Sequence, residues 1–235
     1  MIRDENFSFG SHIDSLTSHA VVFSQDKYQD QSSWKIYGIV PPPTIKTACL
    51  KRKAEYLAGR YCAKKAMCKH GFVDSNFQLY TGENRAPVWP DSLTGSISHS
   101  DGFAVSIVTS CSNYRGIGID VESIIKESSL INIRNYISLN SEQSRFYDLY
   151  SRHFSETAYF SLIFSAKESI YKSINPIVGT FFGFHDAEII EINAIKSEFA
   201  FELKVDLSSE FQSGYQGMGT FLKDQLRVMS LVCTE

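Results

Sequence analysis

The segment Gly116-Ile117-Gly118-Ile119-Asp120-Val121-Glu122 carries the first groups that could do chemistry. Its alternation predicts a strand, with Ile117, Ile119 and Val121 turned into a core and Gly118, Asp120 and Glu122 sharing the opposite face. Two carboxylates on one face repel each other unless a cation lies between them. A sparse set of oxygen donors, with room for waters and phosphate oxygens, suits Mg2+. Gly118 is expected to leave space beside the acids. A solvated strand end with two surface acids describes the same residues equally well. A second group lies in Phe164-Ser165-Ala166-Lys167-Glu168-Ser169-Ile170-Tyr171-Lys172, where Glu168 and Lys172 stand four apart on one face of a predicted helix. Read only as a surface ion pair, they would add about 0.3–0.5 kcal/mol to that helix.

Three further segments could grip an anion. In Gly95-Ser96-Ile97-Ser98-His99-Ser100 a histidine flanked by serines ends a predicted strand and could hold phosphate oxygens; a satisfied structural histidine is the other reading. Lys46, Lys51, Arg52, Lys53, Arg60, Lys64, Lys65 and Lys69 follow one another with only Glu55 in opposition. That run fits either a solvated charged face or the docking of a phosphorylated nucleotide. In Asn84-Arg85-Ala86-Pro87-Val88-Trp89-Pro90 the prolines stiffen a loop, so Arg85 would lose little freedom on grasping a phosphate. A surface turn over a buried Trp89 is the plainer alternative.

These groups need elements to hold them. Residues 1–45 read as short strands and loops, with Ala20–Phe23 and Ile36–Val40 as strands and Pro41-Pro42-Pro43 as a stop. Leu50, Ala54, Leu57, Tyr61 and Cys68 form the apolar stripe of a helix from Lys46 to Lys69, which Gly71 closes. Gly95–Ser100 and Phe103–Thr109 pair as a hairpin about Asp101-Gly102, and residues 116–122 make a third strand. Residues 129–152 are polar and helical with loops. Ala158, Tyr159, Leu162, Ile163, Ala166 and Ile170 mark a helix from Ser155 to Ile174, ended by Asn175-Pro176. Ala187–Ile192, Glu198–Val205 and Gln225–Val232 alternate as antiparallel strands. The repeated order of helix then strands predicts an α+β protein of two halves, 1–119 and 120–235.

Composition narrows the class. The 235 residues are 43% hydrophobic and 21% charged, ordinary values for a folded chain, and the net charge of −3 argues against a general nucleic-acid binder. Five cysteines, an odd number without a CxxC pair, suggest neither a disulfide framework nor a thiolate zinc site, so reduced thiols in a cytoplasmic protein are expected. The acidic start MIRDENFSFG is unlike a signal peptide, and no apolar stretch reaches the roughly 18 residues of a transmembrane helix.

Taken together and in order, SISHSDG, GIGIDVE and FSAKESIYK resemble the Sfp-type 4′-phosphopantetheinyl transferases. The segments RKAEYLAGR, from Arg52 to Arg60, and NRAPVWP are similar to the subgroup of the enterobactin synthetase component D type, which serves siderophore synthesis. The matching motifs run from about residue 52 to residue 172. The resemblance implies a pseudo-dimer of two similar α+β halves, each a helix on a small, mainly antiparallel sheet, with a coenzyme A cleft between them. It implies that Asp120, Glu122 and Glu168 hold Mg2+ and that Lys172 approaches a phosphate. Ser98 and His99 would contact the nucleotide, and Arg52, Arg60 and Arg85 would hold phosphates. The implied reaction is attack by a serine hydroxyl of an apo carrier protein (a peptidyl, aryl or acyl carrier domain) on the β-phosphorus of coenzyme A, releasing 3′,5′-ADP. Glu168 is the expected base and, with Lys172, the catalytic pair. Carrier docking is expected near residues 123–150, with Ile124, Ile125, Phe146 and Tyr147 as apolar contacts, and the enzyme is expected to be a monomer. The alternative is a metal-dependent phosphodiesterase that uses the same three carboxylates on coenzyme A or a nucleotide without any carrier protein.

Overall fold

The computed structural model describes residues 2–5, 15–28, 30–74, 76–82 and 86–235. The chain divides into two units, Met1–Arg115 and Gly116–Glu235. In the first unit, β1 (Ile2–Glu5) and β2 (Thr17–Phe23) precede three helices, α1 (Asp30–Tyr37), α2 (Pro43–Lys46) and α3 (Leu50–Lys69). β3 (Leu93–Ser100) and β4 (Phe103–Ser110) complete an antiparallel sheet of order β1-β2-β4-β3. The β3–β4 turn is Asp101-Gly102, both with positive φ (40° and 78°), the backbone that a two-residue hairpin needs. The expected strand at Ile36–Val40 is instead the end of α1 and a loop.

Helix α3 starts at Leu50 rather than Lys46, because the chain makes a separate turn of helix at Pro43–Lys46 first. Its buried face is Ala54, Leu57, Ala58, Cys62, Ala63, Ala66 and Met67, while Leu50 and Cys68 of the expected stripe are exposed. Small residues dominate that face, so the helix sits close to β2 and β4. Two long charged side chains, Lys53 and Arg60, are carried inside with them.

The second unit begins with β5 (Gly116–Ser123), followed by α4 (Glu127–Ile137), α5 (Asn140–Arg145), a π turn at Phe146–Tyr150 and α6 (Glu156–Val178). Four strands follow: β6 (Ala187–Asn193), β7 (Glu198–Leu203), β8 (Gln216–Lys223) and β9 (Arg227–Thr234). The sheet order is β5-β9-β8-β7-β6, antiparallel throughout. β5 pairs with β9 along its whole length, from Gly116–Thr234 to Ser123–Arg227. The strand therefore belongs entirely to the second unit, and the division falls ahead of residue 119.

Ser155 caps α6 by accepting the Ala158 N–H, and Gly179 closes it with φ 68°. Pro176 does not end the helix as expected: it lies in the last turn, where the helix runs on to Val178 before Gly179 stops it. β8 is a strand that the sequence reading did not expect, in a stretch that opens with two glycines in four residues, Gln216-Gly217-Met218-Gly219. A Cβ at Gly217 would meet the Phe201 ring at 2.5 Å, and one at Gly219 the Phe199 ring at 2.2 Å. The glycines are there because neighbouring aromatic rings lie over them.

Candidate active site

The β5–α6 contact is closer than side chains allow. A Cβ on Gly116 would lie 2.0 Å from the Ser173 carbonyl oxygen, and one on Gly118 only 1.8 Å from that of Ser169. Gly118 thus leaves no open space beside the acids, contrary to expectation; the helix backbone fills it. On the helix side, Ser161, Ser165, Ser169 and Ser173 recur every fourth residue, and all four are fully buried. Ser165 Oγ hydrogen bonds Ser230 Oγ at 2.8 Å, and Ser173 Oγ bonds Thr234 Oγ1 at 2.7 Å. Small residues on both elements bring the helix down onto the strand, and the pairing of Gly116 with Ser173 and Gly118 with Ser169 makes the two run antiparallel.

That approach brings the charged residues together. Helical side chains lean toward the helix N-terminus, so Lys172 reaches along α6 to Asp120. Its Nζ donates to Asp120 Oδ1 at 2.6 Å and to the Ile119 carbonyl at 3.2 Å. Asp120 is 2% exposed. Burial raises the Glu168 carboxyl above the usual carboxylate range; the Lys172 charge opposes that rise and the Asp120 charge adds to it. Glu168 in turn adds to the upward shift that burial imposes on the Tyr171 hydroxyl. Asp120, Glu168 and Lys172 therefore share one electrostatic field. Glu122, half-buried, lies two residues beyond Asp120 on the same strand. Among the described residues no three His, Cys, Asp or Glu side chains are gathered into a ready metal cage. The chemistry of the donors nevertheless fits a hard cation: all are carboxylate oxygens, and Asp120 and Glu168 repel each other.

Residues from the first unit form a looser group. Arg52 Nη1 lies 3.3 Å from His99 Nε2, which in the neutral ring can accept from the guanidinium. Nδ1 faces Glu55 Oε2 at 4.0 Å, and Arg52 lies 3.9 Å from the same oxygen. Ser98, next on β3, is buried. Arg60 is placed differently from expectation. Its Nη2 donates to Thr81 Oγ1 at 2.8 Å and to the Tyr80 carbonyl at 3.5 Å, and its guanidinium lies 4.8 Å from the Tyr56 ring centre. Arg60 thus secures the segment that leads to the Thr81–Pro87 bridge. Arg85 lies outside the described residues.

The family model of the 4′-phosphopantetheinyl transferase N-terminal domain matches residues 41–109, and that of the 4′-phosphopantetheinyl transferase superfamily matches residues 116–224. Enterobactin synthase component D of Salmonella typhimurium is 32% identical over 168 residues, covering 70% of this chain and 67% of that protein. The chain belongs to the 4′-phosphopantetheinyl transferase superfamily. The same component of Salmonella typhi is 34% identical over 150 residues, 64% of this chain and 59% of that protein. The 4′-phosphopantetheinyl transferase Npt of Nocardia iowensis is 30% identical over 141 residues, 59% of each chain. The chain thus spans about three fifths to two thirds of the length of these relatives.

Within this transferase fold, sequence reasoning missed Lys167 and Glu142. The sequence reading assigned Lys167 no role beside Glu168. It is buried, and its Nζ donates to Glu142 Oε2 at 2.7 Å. Burial pushes the Glu142 carboxyl up and the Lys167 ammonium down, and each charge opposes the other's shift. Its position in the helical register, on the apolar side with Ile163 and Ile170, was the available signal. Of the four expected docking residues, Phe146 is buried in the core, Ile124 and Ile125 are half-buried against it, and Tyr147 is exposed.

Proposed function

We propose that this chain transfers the 4′-phosphopantetheine arm of coenzyme A to a serine of an apo carrier protein, releasing 3′,5′-ADP, in a Mg2+-dependent reaction. The observation that carries the reading is the convergence of Asp120, Glu168 and Lys172 at the β5–α6 contact, in a chain of this family. Asp120, Glu122 and Glu168 would hold the cation. When bound, Mg2+ would offset the charge that builds on the pyrophosphate oxygens. Lys172, which bonds Asp120, would exchange that partner for a phosphate oxygen. Glu168 would take the proton from the serine hydroxyl as its oxygen bonds to the β-phosphorus and the bond to 3′,5′-ADP breaks. Arg52, Ser98 and His99 would bind the nucleotide end with Arg85, while Arg60 positions the segment leading to Arg85.

Carrier domains of siderophore synthesis are the first choice of acceptor, because two of the relatives compared are named enterobactin synthase component D. We read the enzyme as a cytoplasmic monomer; no helix among the described residues is long and apolar enough to cross a membrane. The test is incubation with coenzyme A, Mg2+ and apo carrier domains, with and without the acceptor. Mass gain of one phosphopantetheine on the carrier, matched by 3′,5′-ADP and seen only when the carrier is present, is expected. Release of 3′,5′-ADP at the same rate without a carrier would identify a phosphodiesterase instead.

A further inference from the structure

Lys167 stands next to Glu168 on α6, with 2% of its side chain exposed. Besides Glu142, its Nζ donates to the Phe184 carbonyl at 2.8 Å. The Glu142 side chain is fully buried and also accepts the N–H groups of Leu139 and Ile189, each at 2.7 Å. One carboxylate therefore ties the start of α5 and the edge strand β6 to α6, and Lys167 extends the tie to Phe184. That carbonyl lies in the connection from α6 to β6, which has no strand pairing and only a short 3-10 turn at Phe184–Asp186. At its C-terminal end the Lys204 N–H bonds the Asp186 carbonyl at 2.8 Å, and side chains hold the rest: Asn175 Nδ2 donates to the Thr180 carbonyl at 2.9 Å, and Asp186 Oδ2 accepts the Gly183 N–H at 2.7 Å. Lys167 supplies the buried, charge-assisted bond. Phe181, Phe182 and Phe184 of this connection wall a cavity of about 270 Å³ that Glu168 and Lys167 also line.

A buried ion pair is a poor device for stability alone, since apolar residues of similar size commonly serve as well or better. Its use here is directional, because an ammonium on a backbone carbonyl fixes where that backbone runs. We infer that Lys167, oriented by Glu142, is a positioning residue that fixes the aromatic segment 181–184 beside Glu168, so that the reacting end of the substrate meets Glu168 in one geometry. The inference rests on the reading of Glu168 as the base.

Lys167→Ala in the full chain tests it by two readouts. Amide hydrogen exchange at residues 181–184, measured without substrate, should speed up. The transfer kcat should fall about 10- to 100-fold, the scale of a misplacement of about 1 Å, while the KM for coenzyme A changes less than about threefold. Because the truncated side chain opens on the cavity, added ethylamine should restore part of the kcat; repair of a merely structural defect would not depend on a small amine. Phe184→Ala keeps the buried pair and loosens the same segment through its ring contacts with Tyr136 and Phe164. It should show the same faster exchange and lower kcat without amine rescue, and it decides the matter alone if Lys167→Ala does not fold. Unchanged exchange at 181–184 overturns the inference. So does faster exchange with normal kcat, or a loss in folded Lys167→Ala that ethylamine leaves untouched. Wild-type protein that transfers nothing would overturn the proposed reaction instead, and the exchange data alone would then judge the anchoring.

Discussion

The charged groups of the two units are held to different tolerances. In the second unit, Lys172 meets Asp120 at 2.6 Å and Lys167 meets Glu142 at 2.7 Å, with both carboxylates almost fully buried. In the first, Arg52, Glu55 and His99 stand 3.3 to 4.0 Å apart, and the Arg52 side chain is 43% exposed. Close packing sets the Lys172–Asp120 contact: glycines and serines bring α6 onto β5, so those two charges are delivered by the backbone. The second cluster is delivered by flexible side chains at the end of a strand and the first two turns of a helix. The difference matches the two tasks proposed. Groups that stabilise a transition state gain from being fixed beforehand, whereas groups that grasp a nucleotide phosphate can close on it.

The largest expected effect tests the rigid side of that contrast at its chemical end. Glu168→Gln keeps size and one oxygen but loses the proton acceptor, and turnover should drop by about 10²–10⁴-fold while coenzyme A still binds. Calorimetry and turnover on one preparation check this across a range of Mg2+ concentrations; near-normal turnover at high Mg2+ would leave Glu168 a ligand only. Next comes the packing that delivers the charges. Gly118→Val forces its side chain into the Ser169 carbonyl and should destabilise the fold by about 3 kcal/mol, read as a lower urea midpoint. A wild-type midpoint would mean that β5 and α6 can part freely.

On the adaptable side, Arg52→Ala and His99→Ala should each weaken coenzyme A binding by about 1.5–3 kcal/mol, the range for hydrogen bonds to charged groups. Titration with coenzyme A and its 3′-dephospho analogue locates the contact: equal losses for both ligands would move it away from the 3′-phosphate. The smallest effect belongs to a carboxylate with no proposed part in catalysis. Burial alone would raise the Glu188 carboxyl, but hydrogen bonds from Ser141, Arg145 and Lys204 overcome it and hold the group at about 2. A depressed carboxyl contributes stability above its unfolded value near 4.5 and loses it as pH falls toward 2. Glu188→Gln should therefore lower the unfolding midpoint at pH 7 modestly and flatten its fall between pH 4.5 and 2. Parallel wild-type and variant curves in that window would remove Glu188 from the acid sensitivity.

Much of this contrast was legible in the sequence. The alternation around Asp120, the spacing of Glu168 and Lys172, and the Asp101-Gly102 turn all correspond to elements of the structure, because each rests on local periodicity or turn chemistry. What stayed hidden depends on contacts distant in sequence. Gly118 looked like free space because sequence does not show that Ser169 lies against it. β8 went unexpected because the rings of Phe199 and Phe201 cover its glycines only after the sheet forms. Arg60 looked like a phosphate ligand because a basic helix face gives no sign that one of its members is buried against Tyr56 and Thr81.

The most direct measurement is intact mass of an apo carrier domain after incubation with coenzyme A and Mg2+, with wild-type enzyme beside Asp120→Ala shown to be folded by circular dichroism. The account predicts one added phosphopantetheine with the wild type, none when Mg2+ is chelated, and a rate at least about 10²-fold lower for Asp120→Ala, the loss typical of a removed electrostatic group. Transfer by folded Asp120→Ala at the wild-type rate, or undiminished transfer in chelator, would contradict it.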